Sequence, residues 1–249
     1  MFARLMACFV AAALLPAAGT AAAAGPLRAL LITGGCCHNY PFQSAQLTNA
    51  VARHAAVEWR VVNEGGTGTK AEIPLYGDPD WAKAYDVVVH NECFADTASA
   101  AYIRRILAAH KAGTPAVVIH CAMHTYRAAD FDDWREFLGV TSRHHDHMSR
   151  YPVTKVVPEH PILKGVPDAW VTAMDELYTV EKLWPNAKAL ATSKSERDGR
   201  AHPVVWINQY GPARVFGTTF GHSDETFRDP VFLDLVSRGL LWAAGRLPE

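Results

Sequence analysis

Four histidines stand where apolar, strand-like runs of this chain end: His38 after LRALLITGG, His90 after YDVVV, His120 after PAVVI and His222 after RVFGTTFG. Imidazole binds metal ions and moves protons near neutral pH. If those runs are strands of an open parallel sheet, their carboxyl ends meet in one crevice, where ligands bind. Imidazoles gathered there can hold a divalent cation, or act as acid and base beside a carbonyl. Carboxylates accompany them. In HNEC, strand alternation puts His90 and Glu92 on one face, with Asn91 between them. DELY supplies Asp175 and Glu176, and GHSDE places Asp224 and Glu225 beside His222. The tract HHDHM is metal-capable, and its His145 or His147 can reach over the sheet as a lid.

These residues define a candidate constellation. His120, His222, Glu92 and His90 are the candidate catalytic groups. Gly35, His38, Asn91, Cys121, His145 and Glu176 are the candidate substrate-binding groups. His38, His120 and His222 are the candidate ligands of a divalent metal, zinc by donor type. Gly34 and Gly35 let the backbone turn sharply after the first strand, into a helix whose N–H groups favour an anion or a sugar hydroxyl. That loop is neither a Walker loop nor G-x-G-x-x-G, so no nucleotide cofactor is expected. Cys121 beside His120 allows a second reading, a thiol nucleophile working with His222. Ordinary roles compete at each place: a strand–helix turn at the glycines, a capping cluster at HNEC, helix-terminal charge at Asp224 and Glu225.

The elements that must position these groups follow from periodicity. LRALLITG is apolar on both faces, as a central strand is. FQSAQLTNAVARH has helical spacing, VEWRVVN reads as a second strand and YDVVVHNE as a third. TASAAYIRRILAAHKAG is a helix opening on Thr97 as N-cap and closing on Gly113, and TPAVVIHCA is a fourth strand. Alternating strands and helices with short connections predict a doubly wound, mostly parallel sheet. FDDWREFLG is a short helix, and the Pro-broken stretch after it contains one strand, YPVTKVV. DELYTV and AKALATSKS read as edge strands, and VVWIN, QYGPA and RVFGTTF as a hairpin. The closing helix turns Phe232, Leu235, Val236 and Leu240 inward.

The first 24 residues carry Arg4, an apolar run and small residues at Ala21–Ala24, which reads as a signal peptide removed on export to the periplasm or outside. The run is too short and Ala-rich for a comfortable membrane span, so no membrane attachment is expected after cleavage. Residues 25–249 then suit one α/β domain. With 24 basic and 25 acidic residues and no basic stripe, a nucleic-acid partner is not expected. Cys36, Cys37, Cys93 and Cys121 suit disulfides in an oxidising compartment or free thiols near a site; a vicinal Cys36–Cys37 bond is sterically demanding. Oligomeric state is not readable.

Thr33-Gly34-Gly35 with His38, Val118 to His120, Asp175 to Tyr178, and Trp206 through His222 together resemble the ThuA-like family, named for trehalose utilisation. The resemblance covers about residues 27 to 245 and implies a class I glutamine amidotransferase-like, flavodoxin-like fold. Amidotransferases carry G-x-C-x-G at the elbow and a later His-x-Glu. Here Val118–Ala122 puts His120 or, one residue on, Cys121 at that place, neither register keeps both glycines, and His222-Ser223-Asp224 lacks the Glu. The resemblance implies sugar catabolism: a small-molecule glycoside or keto-sugar processed by His/Glu or metal-assisted chemistry. The alternatives are a non-catalytic carbohydrate-binding protein, with seven tryptophans as stacking surfaces, or a Cys121–His222 hydrolase.

Overall fold

The computed structural model describes residues 25–247; the segment read as a signal peptide, with Cys8, lies outside the described residues. Four apolar runs form parallel strands: β1 (Leu27–Gly35), β2 (Val57–Asn63), β3 (Val87–Cys93) and β4 (Ala116–Ile119). The chain runs outward from β1 to β2 and then back to β3 on the other side of β1, so a topological switch point opens between β1 and β3. After β4 comes β5 (Val140–His145), β6 (Val153–Lys155), β7 (Tyr178–Leu183), β8 (Ala187–Lys194), β9 (Ala201–Tyr210) and β10 (Ala213–Thr218). Strand β10 lies parallel to β4, and β9, β8 and β6 continue the sheet antiparallel, in the order β2-β1-β3-β4-β10-β9-β8-β6. The predicted doubly wound, mostly parallel architecture is therefore present, with an antiparallel extension that the β9–β10 hairpin begins.

Helices cover both faces. Helices α1 (Tyr40–Val51) and α4 (Pro230–Ala243) pack on one, burying Leu47, Val51, Phe232, Leu235, Val236 and Leu240 against Leu31, Val89 and Ile119. Helices α2 (Ala100–Lys111) and α3 (Asp133–Leu138) cover the other, over Ile32, Val88, Val118 and Trp206. Pro41 in the first turn and Asn39 as N-cap start α1 two residues before the predicted Phe42. Helix α2 opens on Ser99, not Thr97: Thr97 Oγ1 is engaged by the main chain of Ala71, leaving Ser99 Oγ to accept the Tyr102 amide.

Two expectations about the second half need correction. Strand β8 is not an edge strand, since β6 pairs outside it. Strand β7 lies outside the main sheet and pairs with β5, whose polar sequence VTSRHH carries no strand signal. This two-stranded ribbon brings HHDH and DELY together. Among the described residues no helix is long and apolar enough to cross a membrane.

Candidate active site at the strand ends

Three of the four histidines converge. His38 hangs in the loop after β1, His120 follows β4 directly, and His222 lies four residues beyond β10. Their ring centroids are 5.0 Å (38 to 120), 4.9 Å (38 to 222) and 5.4 Å (120 to 222) apart. One ligand atom from each lies within 4.8 Å of the others.

Backbone geometry fixes two of the rings. His120 Nδ1 sits 2.6 Å from the Thr219 carbonyl and His38 Nδ1 3.1 Å from the Cys36 carbonyl. A carbonyl only accepts, so both Nδ1 atoms carry the proton and both Nε2 atoms present lone pairs. His38 Nε2 is buried and has no partner. Tyr178 Oη donates toward His120 Nε2 at 3.3 Å. His120 has φ +47°, the left-handed region that non-glycine residues seldom enter. It thus occupies the elbow after β4, and the neighbouring Cys121 does not.

Glu176 is the carboxylate of this cluster. Its Oε2 lies 3.3 Å from His222 Nδ1 and 3.7 Å from His120 Nε2, and its Oε1 lies 3.6 Å from His145 Nδ1. The 3.3 Å contact lacks the alignment of a full hydrogen bond, so it acts chiefly as a charge pair. Contact with Glu176 raises His222 above the ordinary imidazole value, against the opposing effect of burial. Burial pushes Glu176 upward, but His222, then the charges of His145 and His38, outweigh it and hold the carboxyl below its usual range. Burial first, then the charge of His222, lowers His38 to about 4, and burial and His38 drive His120 well below the ordinary value. The cluster at neutral pH is therefore two neutral imidazoles beside an imidazolium–carboxylate pair.

Asp175 supports the cluster from below. Fully buried, it accepts the amides of Glu176 (2.7 Å), His222 (3.2 Å) and Gly221 (2.9 Å) and the Thr226 hydroxyl (2.6 Å). Burial nevertheless raises its carboxyl to about 6. Asn91 also supports rather than lines the site. It donates to Gln43 Oε1, and Gln43 donates to the carbonyls of Gly221 and His222. His145 stacks on Tyr178 at the rim, 41% exposed, whereas His147 points away and pairs with Glu196.

His90 and Glu92 do not join the other three. Strand β3 continues through Cys93, so His90 lies inside the strand and not at its end. Both side chains have no exposure. His90 Nδ1 meets Glu92 Oε1 at 2.9 Å and its Nε2 meets His110 at 3.0 Å, with Trp134 and Phe137 packed around. They form a sealed polar group under α2 and α3. The sulfur of Cys121 is bonded to Cys93, and Cys36 is bonded to Cys37, so no free thiol nucleophile stands here. No tryptophan ring among the described residues packs on His38, His120 or His222; Trp81, Trp134, Trp170 and Trp206 are core. A wider concavity of about 820 Å³, lined by Pro158, Lys164, Arg214 and Trp242, lies at the amino end of β10 and contains no histidine.

Gly35 shapes the floor. With φ +93°, and with the Cys93 carbonyl oxygen where a Cβ would stand, only glycine fits. Gly35→Ala should cost about 3 kcal/mol of stability from combined strain and clash, read as a shift in urea midpoint with unchanged slope. An unchanged midpoint would show that β1 and β3 can part without cost.

Sequence reasoning missed Tyr178, Tyr40 and the role of Asp175. Tyr40 Oη donates to the Cys36 carbonyl beside His38, and no spacing rule marks it. Tyr178 was visible only as the last letter of DELY.

A mostly parallel sheet, helices on both faces, and a left-handed elbow after β4 facing a histidine loop after β10 define a class I glutamine amidotransferase-like, flavodoxin-like protein. Within that class the chain belongs to the ThuA family, described by trehalose utilisation, which matches residues 29–243. Membership ties it to a trehalose-utilisation-related carbohydrate role. A ThuA-like protein from Parabacteroides merdae superposes with TM-score 0.74 at 24% identity, covering 90% of this chain and 92% of that one. One from Bacteroides uniformis gives 0.68 at 17% identity, covering 91% and 94%. A GMP synthase protein from Thermoplasma acidophilum gives 0.50 at 10%, covering 86% and 94%. At these identities the likeness shows the fold alone. No curated protein sequence matches the chain.

Proposed function

We propose that this chain is an exported sugar-processing enzyme that holds a divalent cation, zinc by donor type, on His38, His120 and His222. Its substrate is a glycoside or keto-sugar entering at the strand ends. The observation that carries this reading is His38 Nε2, buried, unpartnered and aimed among two further imidazoles. Burying a polar atom without a partner is costly, so a partner is expected. In addition, His38 and His120 each direct Nδ1 at a backbone carbonyl, the outer support that metal-ligating histidines require. The neutral state of both rings leaves their lone pairs available. Three imidazoles and an open position form a donor set that suits catalytic zinc.

Such a cation would polarise a carbonyl or lower the pKa of a bound water. Glu176, kept ionised by its histidine neighbours, is placed to take a proton from the reacting group. His222, kept protonated by Glu176, is placed to return one. The roles expected of Glu92 and His90 thus pass to Glu176 and His222. The same pair favours a second reading, acid–base elimination, isomerisation or hydrolysis without a metal.

Elemental analysis of untagged protein, beside His120→Ala and His222→Ala, separates these readings. Near-stoichiometric divalent metal is expected in the unaltered chain, with at least tenfold weaker retention in both variants. No bound metal after reconstitution with zinc, manganese or nickel would overturn the metal reading and leave the acid–base one.

A further inference from the structure

The reading above uses none of the four sulfurs among the described residues, yet these lie in one line beside the site. Cys36–Cys37 is a vicinal disulfide in the loop after β1, with Cys37 exposed and Cys36 half-buried. Cys93–Cys121 joins the end of β3 to the turn after β4, and its cysteines are 3% and 8% exposed. Cys36 Sγ and Cys93 Sγ are 3.8 Å apart. One disulfide is thus open to solvent, the other is closed to it, and their nearest sulfurs are in van der Waals contact.

We infer that the exposed vicinal pair relays electrons from a dithiol to the buried Cys93–Cys121 pair by thiol–disulfide exchange. Disulfides are reduced by direct attack of a thiolate on sulfur, so a buried pair needs a thiol that can reach it. An external dithiol attacks Cys37 Sγ, and its second thiol resolves the mixed disulfide. The dithiol is thereby oxidised to a disulfide and Cys36 and Cys37 become thiols. Next, the Cys36 thiolate attacks Cys93 Sγ. The Cys36–Cys93 bond forms, the Cys93–Cys121 bond breaks, and Cys121 leaves as a thiolate. Finally Cys37 attacks Cys36 Sγ, which restores the vicinal bond and releases Cys93. The two protons lost by the dithiol end on Cys93 and Cys121. Net, one dithiol becomes a disulfide and one buried disulfide becomes two thiols. Those thiols then stand with His38 in a group whose ligand atoms lie within 4.8 Å of one another, so the redox state of the pair is set directly against the histidine cluster. The relay holds whether or not the histidines bind a cation.

Dithiothreitol reduction of the full chain, quenched over time with an alkylating reagent and mapped by peptide mass spectrometry, tests this. Cys8 falls in a separate peptide. Cys37 should label first, followed by Cys121. Replacing both Cys36 and Cys37 by Ser should slow labelling of Cys121 at least tenfold. Cys37→Ser alone should trap a Cys36–Cys93 linkage with Cys121 free. An unaltered Cys121 rate in the double variant overturns the relay, as does a Cys37→Ser protein holding only Cys93–Cys121. Should either variant fail to fold, the unaltered chain decides. With one equivalent of dithiothreitol, a transient Cys36–Cys93 peptide supports the relay, and Cys121 labelling before Cys37 overturns it.

Discussion

Lowering the pH from 7 to 5 should remove about 6 kcal/mol from the stability of the metal-free fold. Burial holds four imidazoles neutral in the folded chain. His38 is lowered to about 4 and His110 to about 3, the second also by the charge of His90. His120 and His124 lie well below the ordinary value, His124 also through Arg127. In the unfolded chain each titrates near the ordinary value of about 6.5. As pH falls through that value the unfolded state takes up protons that the folded state refuses, and stability falls with it. By pH 5 each imidazole costs about 2 kcal/mol. Asp175 acts in the opposite sense. Its folded carboxyl, raised to about 6, takes a proton before the unfolded one and returns about 1 kcal/mol. His222, raised by Glu176, also gains on acidification, because its contribution is full below the unfolded value and lost as pH rises through the folded one. Urea unfolding of chelator-treated protein at the two pH values measures the difference. The four imidazoles should dominate. A free energy constant within about 1 kcal/mol would mean that water reaches these rings.

Asp175→Ala should lower stability by about 4 kcal/mol, or roughly 10–15 °C in melting temperature. The change leaves three amides and one hydroxyl, all now accepted by one buried carboxylate, without partners. Two of those amides belong to Gly221 and His222, so the loop carrying His222 loses its anchor as well. Retention of metal should therefore fall at least tenfold even in molecules that stay folded. Asp175→Asn keeps one accepting oxygen, and its loss should be about half as large. A melting temperature within about 2 °C of the unaltered chain would show that the loop is held by other contacts, Gln43 first among them.

Which parts of this were legible follows from the physics of each signal. Strands β1, β4 and β10 are short, apolar and ended by residues that cannot continue a buried strand, so the meeting of His38, His120 and His222 could be read from the sequence. His90 misled for a specific reason. A polar HNEC after an apolar run looks like a strand end, but His90, Glu92 and His110 satisfy one another inside the core and the strand runs on. Strand β5 was invisible because polar VTSRHH is paired only on one side, by β7. Glu176 stands out in DELY, yet its place as the site's carboxylate depends on that ribbon. The Cys93–Cys121 bond depends on β3 and β4 being neighbours. The vicinal Cys36–Cys37 bond is sterically demanding, and the loop accommodates it with Cys37 in the left-handed region at φ +83°.

The sheet order has a kinetic consequence. The chain leaves β4 at Ile119 and returns beside it only at Ala213, after building the antiparallel edge. Closing a loop of that length costs entropy before the β4–β10 pairing repays it, and contacts so distant in sequence form slowly. The seam also divides the site, with His38 and His120 on the side built first and Glu176 and His222 on the side built last. No nascent chain or N-terminal fragment can display the four groups together, so the site comes into being only at the last step of folding.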